Sequence, residues 1–289
     1  MKHVFCVAVM FLCAGAALAE TVERRSPADP NGEVEIGNVA GRVEVVGWNR
    51  AEVELQADIP GGADELRFER RGSRTVIQIR TNRHHGGAAD LTVRVPQGSS
   101  LMINTVSGEQ QVEGVRGRQR LQSVSGSIDT EVFDEFEIET ASGEISVQGH
   151  GGQALARVTT VSGDVRLEDI GSELELNTVS GDMNVRARSI QRARINTTNG
   201  DLDFTAALAP DARIDAEAIN GDLRFEFLGA VNAEFAIETF NGDIDNCFGP
   251  KARRSRDFGP GNELRFKEGK GGATVRVKTL NGGVELCKR

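Results

Sequence analysis

Thr160-Val-Ser-Gly-Asp164 and Thr178-Val-Ser-Gly-Asp182 are two copies of one five-residue phrase, 18 residues apart. The phrase recurs as Thr105-Val-Ser-Gly-Glu109, Ser123-Val-Ser-Gly-Ser127, Thr140-Ala-Ser-Gly-Glu144, Thr197-Thr-Asn-Gly-Asp201, Ala218-Ile-Asn-Gly-Asp222, Thr239-Phe-Asn-Gly-Asp243 and Thr279-Leu-Asn-Gly-Gly283. The intervals between successive glycines are 18, 17, 20, 18, 19, 21, 21 and 40 residues. A period near 20 marks a stacked repeat, in which one unit cannot bury its own apolar face and neighbours complete the core.

Two columns around each glycine are apolar but for Gln110. Two residues after it stand Gln110, Ile128, Ile145, Val165, Met183, Leu202, Leu223, Ile244 and Val284; five before it stand Ile103, Leu121, Ile138, Val158, Leu176, Ile195, Ala216, Ile237 and Val277. Strand side chains alternate faces, so both columns read as inward positions on strands flanking a turn. Gly permits the turn, and the Ser or Asn before it can bond nearby backbone or its stacked copies. The expected fold is all-β: a parallel β-solenoid of the single-stranded β-helix type, with about 20 residues per coil and an N-terminal β cap. Asn-Gly between strands is also a hairpin signal, so an antiparallel hairpin-repeat sheet is the alternative. Repetition of residue type down whole columns favours the solenoid.

Outward from the repeats, residues 1–19 read as a signal peptide: basic Lys2 and His3, an apolar run from Val4, and Ala17-Leu18-Ala19 before Glu20. Residues 20–100 read as the β cap leading into the repeats, with Ile36 to Val45 resembling one more repeat. Residues 101–289 read as the solenoid, with an irregular insertion at 248–273. No later run is long and apolar enough for a transmembrane segment, so the mature chain is expected to be exported, to the periplasm or cell exterior. A formal net charge of −9 makes nucleic acid a poor partner.

The Thr-x-Ser/Asn-Gly-Asp turns resemble the bacterial putative-adhesin family of exported β-strand-repeat proteins of unknown function. Val45-Val-Gly-Trp-Asn49 and Arg256-Asp-Phe-Gly-Pro-Gly261 are similar to its proteobacterial members. The resemblance implies no catalytic residues and no cofactor.

Several groups invite a functional reading. Glu109, Glu144, Asp164, Asp182, Asp201, Asp222 and Asp243 form a column that reads as a solvated turn edge or a calcium-dependent module. A carbohydrate-active enzyme on a β-helix would need convergent carboxylates, whereas these are spread one per coil. His84-His85, His150 and the basic run Lys251, Arg253, Arg254 and Arg256 read as loop or surface groups, and Trp48 as an anchor of the cap. The residues two before each glycine, among them Val106, Val124, Val161, Val179, Ile219 and Phe240, point outward by alternation yet are apolar. They are expected to turn inward at the corner or, failing that, to form an interaction stripe. Cys247 and Cys287 each follow a turn glycine by five residues, so they are expected to pair in an oxidising compartment if 248–273 loops out. The reading that results is a non-enzymatic cell-envelope protein with a repetitive β surface, whose partner is an envelope or surface component of unknown identity.

Overall fold

The computed structural model describes residues 20–59, 65–80, 88–152, 155–255 and 260–289; the expected signal peptide lies outside them. The described residues form 25 strands and no helix, joined in one nearly closed, solenoid-like sheet. Each turn glycine separates a first-side strand from a second-side strand, as Gln119–Ser125 and Ile128–Val132 flank Gly126. The two do not pair with each other. Gln119–Ser125 pairs in parallel with Ser100–Ser107 and Phe136–Ser142, and Ile128–Val132 with Gln110–Glu113 and Ile145–Gly149. A hairpin repeat would have joined the strands across each turn, so that alternative does not describe these repeats. Met183–Asn199 and Leu202–Asn220 run on without a break from the second side of one repeat to the first side of the next.

Register partners give the stacking order. On the first side, Ile77, Ile36, Ile103, Leu121, Ile138, Val158, Leu176, Ile195, Ala216, Val277 and Ile237 are successive neighbours. All eleven are buried. A second spine runs down the other side through Leu91, Val43, Gln110, Ile128, Ile145 and Val165 to Leu223, Val284 and Ile244. Truncating such a side chain to Ala costs about 2–5 kcal/mol, because rigid neighbours above and below cannot close the cavity.

The order is not the sequence order at either end. Residues 20–100 are not simply a cap. Glu33–Ala40 and Val43–Trp48 form a coil in register with the repeats, and Arg74–Arg80 with Asp90–Pro96 stack outside it. At the other end Ala273–Asn281 and Val284–Lys288 sit between the Gly221 and Gly242 coils. The coil last in sequence is therefore next to last in space. Antiparallel strands cover the outer coils: Glu52–Ile59 and Glu65–Arg71 at one end, and Asn262–Glu268, from within the expected irregular insertion, at the other.

Coils approach closely at the turns. Gly163 and Gly181 have φ of 130° and 128°, a region side chains rarely occupy. A Cβ on Gly181 would also lie 2.3 Å from the carbonyl oxygen of Gly163, and one on Gly163 would lie 2.1 Å from that of Gly143. The glycine column is thus required twice, for the turn and for stacking.

Candidate interaction surface

The corner beside that column holds the polar ladders. Asn220 Nδ2 donates to Asn199 Oδ1 at 2.7 Å, Asn281 Nδ2 to Asn220 Oδ1 at 2.8 Å, and Asn241 Nδ2 to Asn281 Oδ1 at 2.9 Å. The acidic column is occupied in the same way. Asp164 Oδ1 accepts the backbone N–H of Asp182, Asp182 that of Asp201, Asp201 that of Asp222, and Asp222 that of Gly283, at 2.7–3.0 Å. Each carboxylate thus satisfies a donor that the turn leaves outside the sheet ladder. Among the described residues, no group of three His, Cys, Asp or Glu stands close enough to hold a metal ion. Lower in the stack, burial pushes the Asp129 carboxyl up, and Glu113, Glu109 and Glu144 add to the shift.

The column two before each glycine does not turn inward. Val39, Val106, Val124, Val161, Val179, Ile219, Phe240 and Leu280 are 45–54% exposed. They are the exposed large hydrophobic residues of the described chain, and all lie in one row. The expectation of burial fails for a geometric reason. The Thr or Ser three before the glycine is the buried one, as at Thr105, Ser123, Thr140, Thr160 and Thr178. Its hydroxyl donates to the carbonyl two residues on at Ser123, Thr140, Thr160 and Thr178, and to Ser123 Oγ at Thr105. That inward position, followed by regular alternation, leaves the next residue facing solvent. Val39 joins the row because the Gly41 coil is in register with the Gly108 coil; Gly41 in a repeat-like phrase was the signal for it. In stacking order the row reads Val39, Val106, Val124, Ala141, Val161, Val179, Thr198, Ile219, Leu280, Phe240. Nine strand spacings make it about 43 Å long.

The remaining candidates lie apart from this row. Cys247 and Cys287 form a disulfide with Cα atoms 4.9 Å apart, between the adjacent Gly242 and Gly282 coils. His84 and His85 lie outside the described residues. His150 Nε2 is 2.7 Å from Glu131 Oε1, and its ring stacks on Phe133 at 4.0 Å. Trp48 donates through Nε1 to the Glu52 carbonyl at 2.8 Å, with the Arg50 guanidinium over its ring. Lys251, Arg253 and Arg254 line a concavity of about 510 Å³ with Arg265 and Glu263, which pair with each other; Arg256 lies outside the described residues. Another concavity, about 670 Å³, runs along the turns at a different corner, with Arg118 and Arg120 at its edge. Both are engaged, with Glu135 and Glu137. No helix among the described residues is long and apolar enough to cross a membrane.

Comparison with known proteins places this architecture. The Toastrack family DUF4097 matches residues 65–286, and the chain belongs to that family. The chain is similar to a solved structure named a putative adhesin from Bacteroides fragilis, at 13% identity over 92% of this chain and 97% of that one, with a TM-score of 0.40. It is similar to one named a putative lipid binding protein from Parabacteroides distasonis, at 13% identity over 93% and 96%, with a TM-score of 0.41. A third, named a putative cell adhesion protein from Clostridium sporogenes, shares 9% identity over 93% and 100%, with a TM-score of 0.24. A search of curated proteins finds no match.

Proposed function

We propose that this Toastrack protein is an exported, non-enzymatic interaction protein of the cell envelope, and that it engages its partner edge-on through the apolar row. One observation carries the reading: the exposed large hydrophobic side chains of the described chain stand in a single column. Scattered exposed apolar residues are ordinary, but a contiguous row of them marks a contact surface. Export is supported by the Lys2 to Ala19 pattern and by a disulfide that suits an oxidising compartment. The non-enzymatic reading is supported by the acidic column, whose carboxylates are spread along the stack, with Asp164, Asp182, Asp201 and Asp222 spent on backbone N–H groups. We read the coils as a single-stranded parallel solenoid of about 20 residues per turn, a reading supported by the parallel registers.

The test is retention of the exported protein by its own envelope fraction. Val161→Asp with Val179→Asp is expected to release it into the wash, with an unchanged circular dichroism spectrum. Val161→Ser with Val179→Ser serves as a milder pair if the first does not fold. Retention and sedimentation both equal to wild type in a folded variant overturn the reading.

A further inference from the structure

The row is not uniform, and its irregularities are symmetric. Of its ten positions, the fourth and seventh are not large and apolar: they are Ala141 and Thr198. These two are equidistant from the centre, which falls between Val161 and Val179. Size is distributed about the same centre. Large positions before it are all Val; those after Val179 are Ile219, Leu280 and Phe240. Resting on the reading of this row as the contact surface, we infer that its occupant is a second copy of the same chain, packed antiparallel about a two-fold axis between Val161 and Val179.

In that arrangement each position n meets position 11 − n of the other copy. Ala141 meets Thr198, so the two small positions coincide and every large apolar residue faces another. Val39 meets Phe240, Val106 meets Leu280 and Val124 meets Ile219, so in the outer pairs a slim residue faces a bulky one. A parallel pair would set Phe240 against Phe240 and Val39 against Val39, with crowding at one end and a gap at the other. Strand spacing is also common to both copies, so the facing pairs stay in register along the whole length. An isologous contact requires this kind of self-complementarity.

The adjoining column agrees. It is Ser at 107, 125, 142, 162 and 180, and Asn at 199, 220, 281 and 241. The same two-fold axis sets Ser107, Ser125 and Ser142 against Asn281, Asn220 and Asn199, which pairs hydroxyls with amides. Neither column carries a charge, so the contact is neutral along its centre, flanked by Glu139, Glu217, Glu238 and Lys278 on the strand side and by the acidic column beyond the glycines. Eight half-exposed side chains offer on the order of 600 Å² per copy, against about 800 Å² for a standard interface. The expected association is roughly micromolar.

Sedimentation of the protein purified without reductant is expected to give a concentration-dependent dimer that withstands high salt. Val161→Asp, next to the axis and so duplicated within the contact, is expected to give a folded monomer. Val161→Ser is expected to weaken the dimer if the Asp variant does not fold. Orientation is read by thiol cross-linking, with the native cysteines already paired. Val124→Cys with Ile219→Cys is expected to give covalent dimers. Val124→Cys alone is not, because the two copies of that position stand five spacings, about 24 Å, apart. A wild type that stays monomeric to about 100-fold above that micromolar range overturns self-association, and ready cross-linking by Val124→Cys alone overturns the antiparallel order. A monomer still held by the envelope through Val161 and Val179 would leave the contact-surface reading standing; a monomer held without them would remove both.

Discussion

At the N-terminal end the Gly41 coil is second in the stack, inside Arg74–Arg80 and Asp90–Pro96; at the C-terminal end the Gly282 coil is second from last, inside the Gly242 coil. In both places a coil near a chain terminus is held between two neighbours, so releasing it requires opening the sheet on both sides. A solenoid frays from its ends, and this interleaving removes the easiest fraying step. What differs is the chemistry of the lock. The N-terminal end holds the nearly buried Glu54 between Arg25, at 2.7 Å, and Arg94. The C-terminal end has the Cys247–Cys287 bond and a packed aromatic group, with Phe235 stacked on Phe266 at 4.5 Å and Phe248 against both. The first lock answers to charge and the second to redox state, so the two ends can be opened independently.

Reducing the disulfide is the sharpest way to break the equivalence. Closing a 40-residue loop is worth about 4 kcal/mol. Hydrogen exchange after reduction is expected to open Ala233–Asn246 and Ala273–Lys288 first, with Glu33–Trp48 unchanged. Equal loss of protection at both ends would show that the bond is not a local lock. The middle of the stack has neither lock and depends on its glycines. Gly163→Ala meets a backbone oxygen and a strained φ together, and is expected to cost about 3 kcal/mol or more. Gly229→Ala is expected to cost about 1 kcal/mol, since its Cβ meets nothing within 4 Å at φ 72°. Comparable melting shifts for these two would contradict the close stacking of turns.

Glu54→Ala tests the N-terminal lock. It leaves two arginines that are themselves about half exposed, so the expected loss is about 1–2 kcal/mol, and it should appear as faster exchange in Glu20–Pro27, Glu52–Ile59 and Asp90–Pro96, with the C-terminal end unchanged. The smallest effect belongs to Asp129. Burial, with Glu113, Glu109 and Glu144 adding, raises its carboxyl above the ordinary value in the folded chain, so the folded state binds more protons than the unfolded one between the two pKa values. Stability from this group is therefore present at low pH and falls as pH rises through that window. Asp129→Asn is expected to raise the denaturation midpoint slightly at pH 7 and to lose that advantage in acid; a variant destabilised at pH 7 would contradict the unfavourable burial of this carboxylate beside Glu113, Glu109 and Glu144.

The repeat phrase was enough to locate the strands and both buried columns, because alternation about a fixed glycine leaves little choice of face. The order of coils at the ends was not legible. Ile36, Ile237 and Val277 carry the same column character wherever their coil is stacked, so nothing in them names a neighbour. The cysteines were the exception, since a bond between Cys247 and Cys287 requires adjacent coils. The apolar row was legible as a column and ambiguous as a surface: residue type pointed inward and alternation outward. The buried Thr three before each glycine decided it, by occupying the inward place.

Carbene footprinting of the protein in its native envelope, compared with the same protein diluted to monomer, tests the central claim most directly. Val106, Val124, Val161, Val179, Ile219 and Phe240 are expected to label strongly in the dilute protein and weakly in place, while exposed residues away from the row, such as Arg253 and Arg254, label alike in both. A row that labels as freely in the envelope as in dilute solution would mean that nothing covers it, and the account of this surface would be wrong.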